Sequence, residues 1–221
     1  LAGAGIRWPA PVRFSVLGLE TLGYKEEVVF PIAASAITTL EAVNVKAKVR
    51  YLTCNDICIP YEANLSMHLP AGDIGPSKHG HLIDRFRASV PGDGSAHGLK
   101  IDTLRSLKDG PGMRLQLVAS AQTAFTQPDV FFEGVLGLTF GKPNVNMING
   151  RSRALIDVSV DGLDDLNDDK GPTIDNRTFV VTLVDGKRAA ELSLVARPRA
   201  PLATLTPGSP SRGDVSIFSI L

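Results

Sequence analysis

The sequence has little of what announces most function classes. Neither charge is in excess, since 23 Lys and Arg balance 23 Asp and Glu. No global positive field is therefore available to hold nucleic acid or an anionic membrane, and nucleic-acid binding is not expected. No apolar run approaches the roughly 18 residues that a membrane-spanning helix needs. Only residues 214–221 turn apolar before the chain stops, as the first turn of a span beyond it would. The opening Leu1-Ala2-Gly3 has no initiator methionine and no basic stretch ahead of an apolar one, so no signal peptide is expected and the chain reads as processed or excised. There is no Gly-x-Ser-x-Gly elbow, no phosphate loop and no dinucleotide fingerprint, which leaves hydrolase or nucleotide chemistry nothing to rest on. Internal repeats are absent too. What is present, 43% apolar and 21% charged residues over 221 positions, excludes wholesale disorder, collagen and coiled coil, and bounds the fold to one large domain or two small ones.

Cysteine is scarce and informative. Two are present, in the phrase Cys54-Asn55-Asp56-Ile57-Cys58. A bridge between them would close so short a loop that it would stabilise the fold by only about 2 kcal/mol. So weak a staple points to chemistry, with a local structural bridge or two unrelated thiols as the alternatives. The Cys-x3-Cys spacing is not the Cys-x-x-Cys by which a helix N-terminus lowers a thiol pKa. No basic residue lies between the sulfurs, and Asp56 disfavours a thiolate. Such a pair is a modest nucleophile, suited to receiving and passing electrons through a partner whose own thiol is activated.

The four histidines, His68, His79, His81 and His97, are the other soft-metal candidates, but none has zinc-finger spacing to the cysteines and a closed site needs four ligands. No metal and no cofactor are expected, and His79 and His81 read as solvated. The acidic run over 161–169 fails as a calcium loop: counted from Asp165, position six is Lys170, and position twelve is Asn176 where a bidentate Glu is needed. A solvated acidic loop is expected there. The glycosylation-like tripeptides at Asn64 and Asn176 and the Arg212-Gly213-Asp214 triplet carry no functional weight.

Residues 43–51 alternate strictly, with Val43, Val45, Ala47, Val49 and Tyr51 on one face and Lys46, Lys48 and Arg50 on the other, which predicts a half-buried strand with its basic side chains in water. Leu65, Met67 and Leu69 repeat the pattern over 64–69. The cysteines thus lie in a short strand-to-strand connection, and Pro60 is expected to limit pairing just after Cys58. Residues 27–33 read as a strand interrupted by Pro31, probable only at a sheet edge by the same rule. Between Ala71 and Gly98 the composition shifts to Gly, Pro, Ser and His around one helical phrase, with Ser77 as cap, Leu82, Phe86 and Val90 at four-residue spacing, and Pro91 as stop. Beyond it, strands are expected at 99–104, 113–119, 130–132, 135–140, 154–160, 179–184 and 189–196, the last two joined as a hairpin through Asp185-Gly186 and Lys187. Short strands between Gly, Pro, Asn and Asp turns argue a β-sandwich, and the Pro-, Ser- and Thr-rich residues after Arg197 a linker.

Several phrases together resemble a known family: Trp8-Pro9, Glu20-Thr21-Leu22-Gly23-Tyr24, Val28-Val29-Phe30-Pro31, and Tyr51-Leu52-Thr53-Cys54-Asn55-Asp56-Ile57-Cys58-Ile59-Pro60. They are similar to the periplasmic N-terminal region of DsbD-type disulfide reductases, within them the ScsB (suppressor of copper sensitivity) branch. The likeness is dense over 7–70 and looser at 128–133 and 184–191. It implies an all-β chain of two immunoglobulin-like β-sandwich domains joined by a linker containing a short helix. The division is a cysteine-bearing redox domain over 1–73, a linker with a short helix over 74–97, a second sandwich over 98–198 and a linker toward a membrane domain over 199–221.

The same resemblance implies a protein-disulfide reductase at the periplasmic end of a membrane electron relay, the ectodomain of an inner-membrane protein that continues into a transmembrane domain. A thioredoxin-like domain of the same system would reduce it. It would in turn reduce periplasmic thioredoxin-fold partners that are isomerase-like or peroxiredoxin-like. Cys58 takes the position of the sulfur that forms the mixed disulfide and Cys54 that of the resolving one, while Glu20, Thr21, Leu22, Gly23 and Tyr24 fall where the family has a loop capping the disulfide. The family carries further strands before the Trp-Pro phrase, close to which this chain begins, so the first domain is expected to be N-terminally incomplete; the cysteine spacing is also shorter than in the best-known members. A copper(I)-buffering module using both thiolates and a structural sandwich with an inert disulfide are the alternative functions.

Overall fold

The computed structural model describes residues 3–16, 19–35, 41–72, 75, 77–166 and 169–199. The linker expected over 199–221, the apolar tail and the Arg212-Gly213-Asp214 triplet lie, from residue 200 on, outside the described residues, as do Asn167 and Asp168 of the acidic run. In the first half, β1 (Gly3–Ile6), β2 (Val12–Val16), β3 (Leu19–Gly23), β4 (Ile32–Ser35), β5 (Val43–Cys54) and β6 (Cys58–Leu69) pair as three antiparallel ribbons, β1 with β4, β2 with β3 and β5 with β6.

Two local expectations are corrected here. Pairing does not lapse after Cys58, because Leu52 stands opposite Pro60 in an unbroken register from Val43–Leu69 to Cys54–Cys58. β6 lies at a sheet edge, where proline's missing N–H need not cost a ladder bond. The strand expected at 27–33 begins only after Pro31: the Arg7 amide donates to the Pro31 carbonyl at 2.8 Å, and Phe30 instead meets Trp8 and Tyr24 edge-on, at 5.0 and 5.2 Å.

Helix α1 (Gly80–Arg87) occupies the connection. Its amphipathic phrase turns Leu82, Ile83 and Phe86 toward partial burial. The helix stops before Val90, and its N-cap is His79, without a side-chain capping bond, and not the expected Ser77; the Ser77 hydroxyl accepts from the His79 amide at 3.3 Å, two residues too early to cap.

The second half is a two-layer sandwich. Strands β7 (Leu99–Asp109), β8 (Gly112–Ala121), β9 (Pro128–Glu133), β10 (Thr139–Phe140), β11 (Asn144–Ile148), β12 (Arg153–Asp161), β13 (Thr178–Asp185), β14 (Arg188–Val195) and β15 (Arg197–Pro198) form two sheets. One has the order β10-β12-β8-β7-β15 with β11 also on β12, and the other is β14-β13-β9. Alternation buries Met113, Leu115, Leu117 and Ala119 of β8 and Ala154, Ile156, Val158 and Val160 of β12 against Val130, Phe132, Phe179, Val181 and Leu183 of the facing sheet. Each fully buried Leu, Ile or Phe contributes about 1.5–3 kcal/mol of apolar burial. Of the strand expected at 135–140 only Thr139–Phe140 pairs, since Gly134 and Gly137 take positive φ and turn the chain. The strand at 144–148 was not expected; its apolar residues, Val145, Met147 and Ile148, are too few to stand out.

The two halves touch through specific groups. Arg13 of β2 donates to the Asp129 carboxylate of β9 at 3.0 and 3.2 Å and to the Val130 carbonyl at 3.2 Å, with its guanidinium 5.2 Å from the Phe131 ring centroid. Ala10 donates its amide to the Ser89 carbonyl at 2.9 Å, and Glu27 pairs with Arg85 of α1. Phe131 and Thr182 lie on the outer face of the three-stranded sheet, opposite each other, yet are only 4% exposed each.

Candidate functional site

The β5–β6 ribbon positions both cysteines. Twelve residue pairs stand opposite one another, and the last is Cys54 with Cys58, joined as a disulfide with Sγ–Sγ 2.08 Å and Cα–Cα 4.1 Å. Asn55, Asp56 and Ile57 form the turn, closed by a bond from the Asn55 amide to the Ile57 carbonyl at 3.1 Å. Cys58 is exposed and Cys54 half-buried, so Cys58 is the more accessible of the two residues.

Because facing residues of an antiparallel pair share a face, the register sorts the ribbon into two. Val43, Val45, Ala47, Val49, Tyr51 and Thr53 face the same side as Leu69, Met67, Leu65, Ala63, Tyr61 and Ile59. Asn44, Lys46, Lys48, Arg50, Leu52 and Cys54 face the other, with His68, Ser66, Asn64, Glu62, Pro60 and Cys58. The disulfide therefore belongs to the polar face. On it, Glu62 accepts from Lys48 and Arg50, each at 2.9 Å, and these bonds, Lys48 first, hold its carboxyl below the usual carboxylate range. On the apolar face Tyr51 and Tyr61 stack at 5.5 Å.

The expected half-burial of β5 holds only for Val43, Val45 and Ala47; from Lys48 outward both faces are open until Cys54. The reason is that, among the described residues, each strand packs overwhelmingly on the other and no further sheet is laid over the distal half. Leu52 and Ile57 beside the disulfide are 64% and 62% exposed, an apolar collar around the sulfurs.

Glu20, Thr21, Leu22 and Gly23 lie in β3, paired with β2, and Tyr24 follows it. The segment is thus strand where a loop was expected. Leu22, Gly23 and Tyr24 line a cavity of about 630 Å³ whose other walls are Trp8, Phe131 and Glu133 among others. The Tyr24 hydroxyl donates to the Pro9 carbonyl at 2.8 Å. Burial first, and the Glu133 charge second, raise the Tyr24 phenol above its ordinary pKa. Glu20 stands 3.9 Å from Arg13.

Arg13 and the placing of the cysteines on the polar face escaped sequence reasoning. A lone Arg in an alternating run does not name a partner 116 residues away, whereas the face carrying the cysteines follows from the Val43–Tyr51 alternation carried on to position 54. His68 contacts Asn44 at 2.8 Å and His97 lies against the Ala189 backbone at 3.0 Å. Among the described residues no group of three or more His, Cys, Asp or Glu is placed to hold a metal ion. Nor is any helix among them long and apolar enough to cross a membrane.

Two family models match separate stretches of the chain. Residues 2–70 match the family described as thiol:disulfide interchange protein DsbD, N-terminal. Residues 89–199 match a domain of unknown function, DUF8393. Among curated proteins none matches the chain. The crystal structure of the N-terminal periplasmic domain of ScsB from Proteus mirabilis superposes with a TM-score of 0.63 at 22% identity, covering 88% of this chain and 73% of that one. At that identity the likeness speaks for the fold, and with it the all-β reading stands. The chain belongs to the DUF8393 family, whose model matches residues 89–199; its cysteine-bearing residues 2–70 match the N-terminal family of DsbD thiol:disulfide interchange proteins, and its fold is like that of the ScsB N-terminal periplasmic domain.

Proposed function

We propose that the chain is a periplasmic disulfide reductase module of the ScsB branch that takes up and passes on two electrons through Cys54 and Cys58. The observation that carries this reading is the disulfide at the exposed tip of the β5–β6 ribbon, with Cys58 the more accessible residue. A partner thiolate attacks Cys58 Sγ, the Cys54–Cys58 bond breaks, and Cys54 leaves as a thiolate that takes a proton. The partner's second thiolate then attacks its own sulfur in the mixed disulfide and releases Cys58, so the partner dithiol is oxidised and the pair reduced. Passing the electrons on is the reverse: the Cys58 thiolate attacks a target disulfide and Cys54 resolves the adduct.

The electron donor in this reading is a thioredoxin-like domain of the same membrane-anchored relay, and the acceptors are thioredoxin-fold isomerase-like or peroxiredoxin-like proteins. The family match over residues 2–70 and the ScsB fold support that placement. We also propose the division into a redox unit over 1–73, a linker over 74–97, a second sandwich over 98–198 and a linker over 199–221 toward a transmembrane domain. Glu20, Thr21, Leu22, Gly23 and Tyr24 are assigned as the cap of the disulfide on the family resemblance.

Trapping tests the roles. Cys54→Ala is expected to accumulate a mixed disulfide with a thioredoxin-fold partner through Cys58, and Cys58→Ala to accumulate much less; equal trapping by both would reverse the assignment. The reduction potential of the pair in a graded thiol buffer is expected between roughly −180 and −270 mV, and a value below about −300 mV would mark an inert structural bridge.

A further inference from the structure

The register that puts the disulfide on the polar face also puts it in line with Arg50, Lys48 and Lys46. From this geometry we infer that the partner is selected by charge: the protein surface that docks on the disulfide carries acidic residues beside its reactive cysteine, which settle on this basic ridge. The inference rests on the exchange reading and adds to it the chemistry of the partner.

Same-face neighbours along a strand are about 7 Å apart, so Leu52 lies about 7 Å, Arg50 about 13 Å, Lys48 about 20 Å and Lys46 about 27 Å from Cys54. The first step is apolar: Leu52, 64% exposed, stands opposite Pro60. A surface brought to bonding distance of Cys58 covers that pair and arrives over Arg50. Three cations line this face and one carboxylate, Glu62, answers them, shared between Lys48 and Arg50. The face thus carries a surplus of two positive charges, in a chain whose total is zero. Lys46 lies opposite Ser66, and the remaining cross-strand partners, Asn64 and His68, bring no negative charge. Of the acids that flank the ribbon in sequence, Asp56 lies in the turn beyond the sulfurs, at the opposite end from the ridge, and Glu41 precedes β5 by two residues. Positive charge is therefore graded along the ribbon away from the tip, and an acidic partner is both attracted and turned in register. Such steering acts on the encounter rate and is screened by salt.

The test uses the reduced 221-residue chain and three peptide disulfides that differ only four to six residues from the cysteine, where they carry three Glu, three Ser or three Lys. Exchange at low ionic strength is expected to rank Glu over Ser over Lys, with about tenfold between the extremes. The ranking should collapse near 0.5 M salt. In Lys46→Glu/Lys48→Glu the order should invert. Equal rates for the three peptides, or an order that the double variant keeps, would overturn the ridge. The salt series on the unaltered chain gives the answer even if the double variant folds poorly. If none of the peptides exchanges, including the Ser one, it is the exchange reading that falls; the ridge is then judged by fluorescence anisotropy of cysteine-free Glu and Lys peptides on the oxidised chain, where equal binding sinks it.

Discussion

Asp185 shows how a single side chain ties the second sandwich together. It is 2% exposed at the end of β13, and its carboxylate accepts from the Thr126 amide and hydroxyl at 3.0 and 2.6 Å, from the Gln127 amide at 2.6 Å and from Arg188. Burial pushes its pKa up, and the bonds from Thr126, Gln127 and Arg188 more than offset this, so the net shift is downward. A depressed folded pKa means stability that is present above the ordinary carboxylate range and lost as pH falls through the folded value. Asp185→Asn is expected to lower unfolding stability by about 2 kcal/mol at neutral pH. It should also flatten the loss of stability as pH falls below the ordinary carboxylate range, measured by denaturant unfolding at a series of acid pH values. A steeper acid loss in the variant would contradict the assignment. The Asp185-Gly186 hairpin was legible in the sequence because its turn chemistry is local, and Gly186 has the expected positive φ of 65°. The bonds from Thr126 and Gln127 were not, since these residues lie 59 and 58 positions from Asp185 and reach it only once the strands have come together.

At the scale of elements, period two was readable wherever both flanks are regular. β8, β12 and β13 overrun the expected strands 113–119, 154–160 and 179–184 by three, two and two residues. β7 was foreshortened because its phase changes: Leu99 and Ile101 point inward, a bulge follows at Ile101/Thr103, and Leu104 and Ser106 continue the inward set. A slipped alternation looks like the end of a strand. The reverse failure affects β5, whose perfect alternation promised burial that its distal half does not receive, because amphipathic pattern states what a strand can cover and not whether a covering layer lies over it. Cys54→Ser/Cys58→Ser should leave the sandwich intact. Hydrogen exchange is expected to stay slow in β8, β12 and β13 and to be faster in β5 and β6 with or without the bridge, since removing it costs only about 2 kcal/mol locally. Global loss of protection on reduction would show that the bridge is structural.

In the molecule as a whole, stability and chemistry are lodged in different halves. Every residue of the main core, from Leu99 to Ala196, belongs to the second sandwich, and no residue before Leu99 enters it. The region 89–199 by itself is therefore expected to fold cooperatively, with a single denaturant transition and slow exchange in its central strands. A fragment that stays unfolded would mean that the contacts of Arg13 with Asp129 and Val130 are needed for the fold and do not merely join two units. The first half has few wholly buried residues, Pro9, Val16 and Pro31 among those described, and its sheets are each of two strands. The overall class and the location of the cysteine phrase could be read in advance from strand spacing and one motif. The way the halves meet could not, because it depends on side chains from distant segments, Arg13, Phe131 and Thr182, that share no local pattern.

The ribbon has a mechanical side as well. Twelve rungs, eleven steps of about 3.3 Å, place the cysteines about 36 Å from its base, so it acts as a boom. A swing of about 10° at the base displaces the tip by about 6 Å, roughly one same-face step along a strand. On the exchange reading proposed above, a small adjustment where the ribbon leaves the body would realign the disulfide against a docked partner while the core stays still.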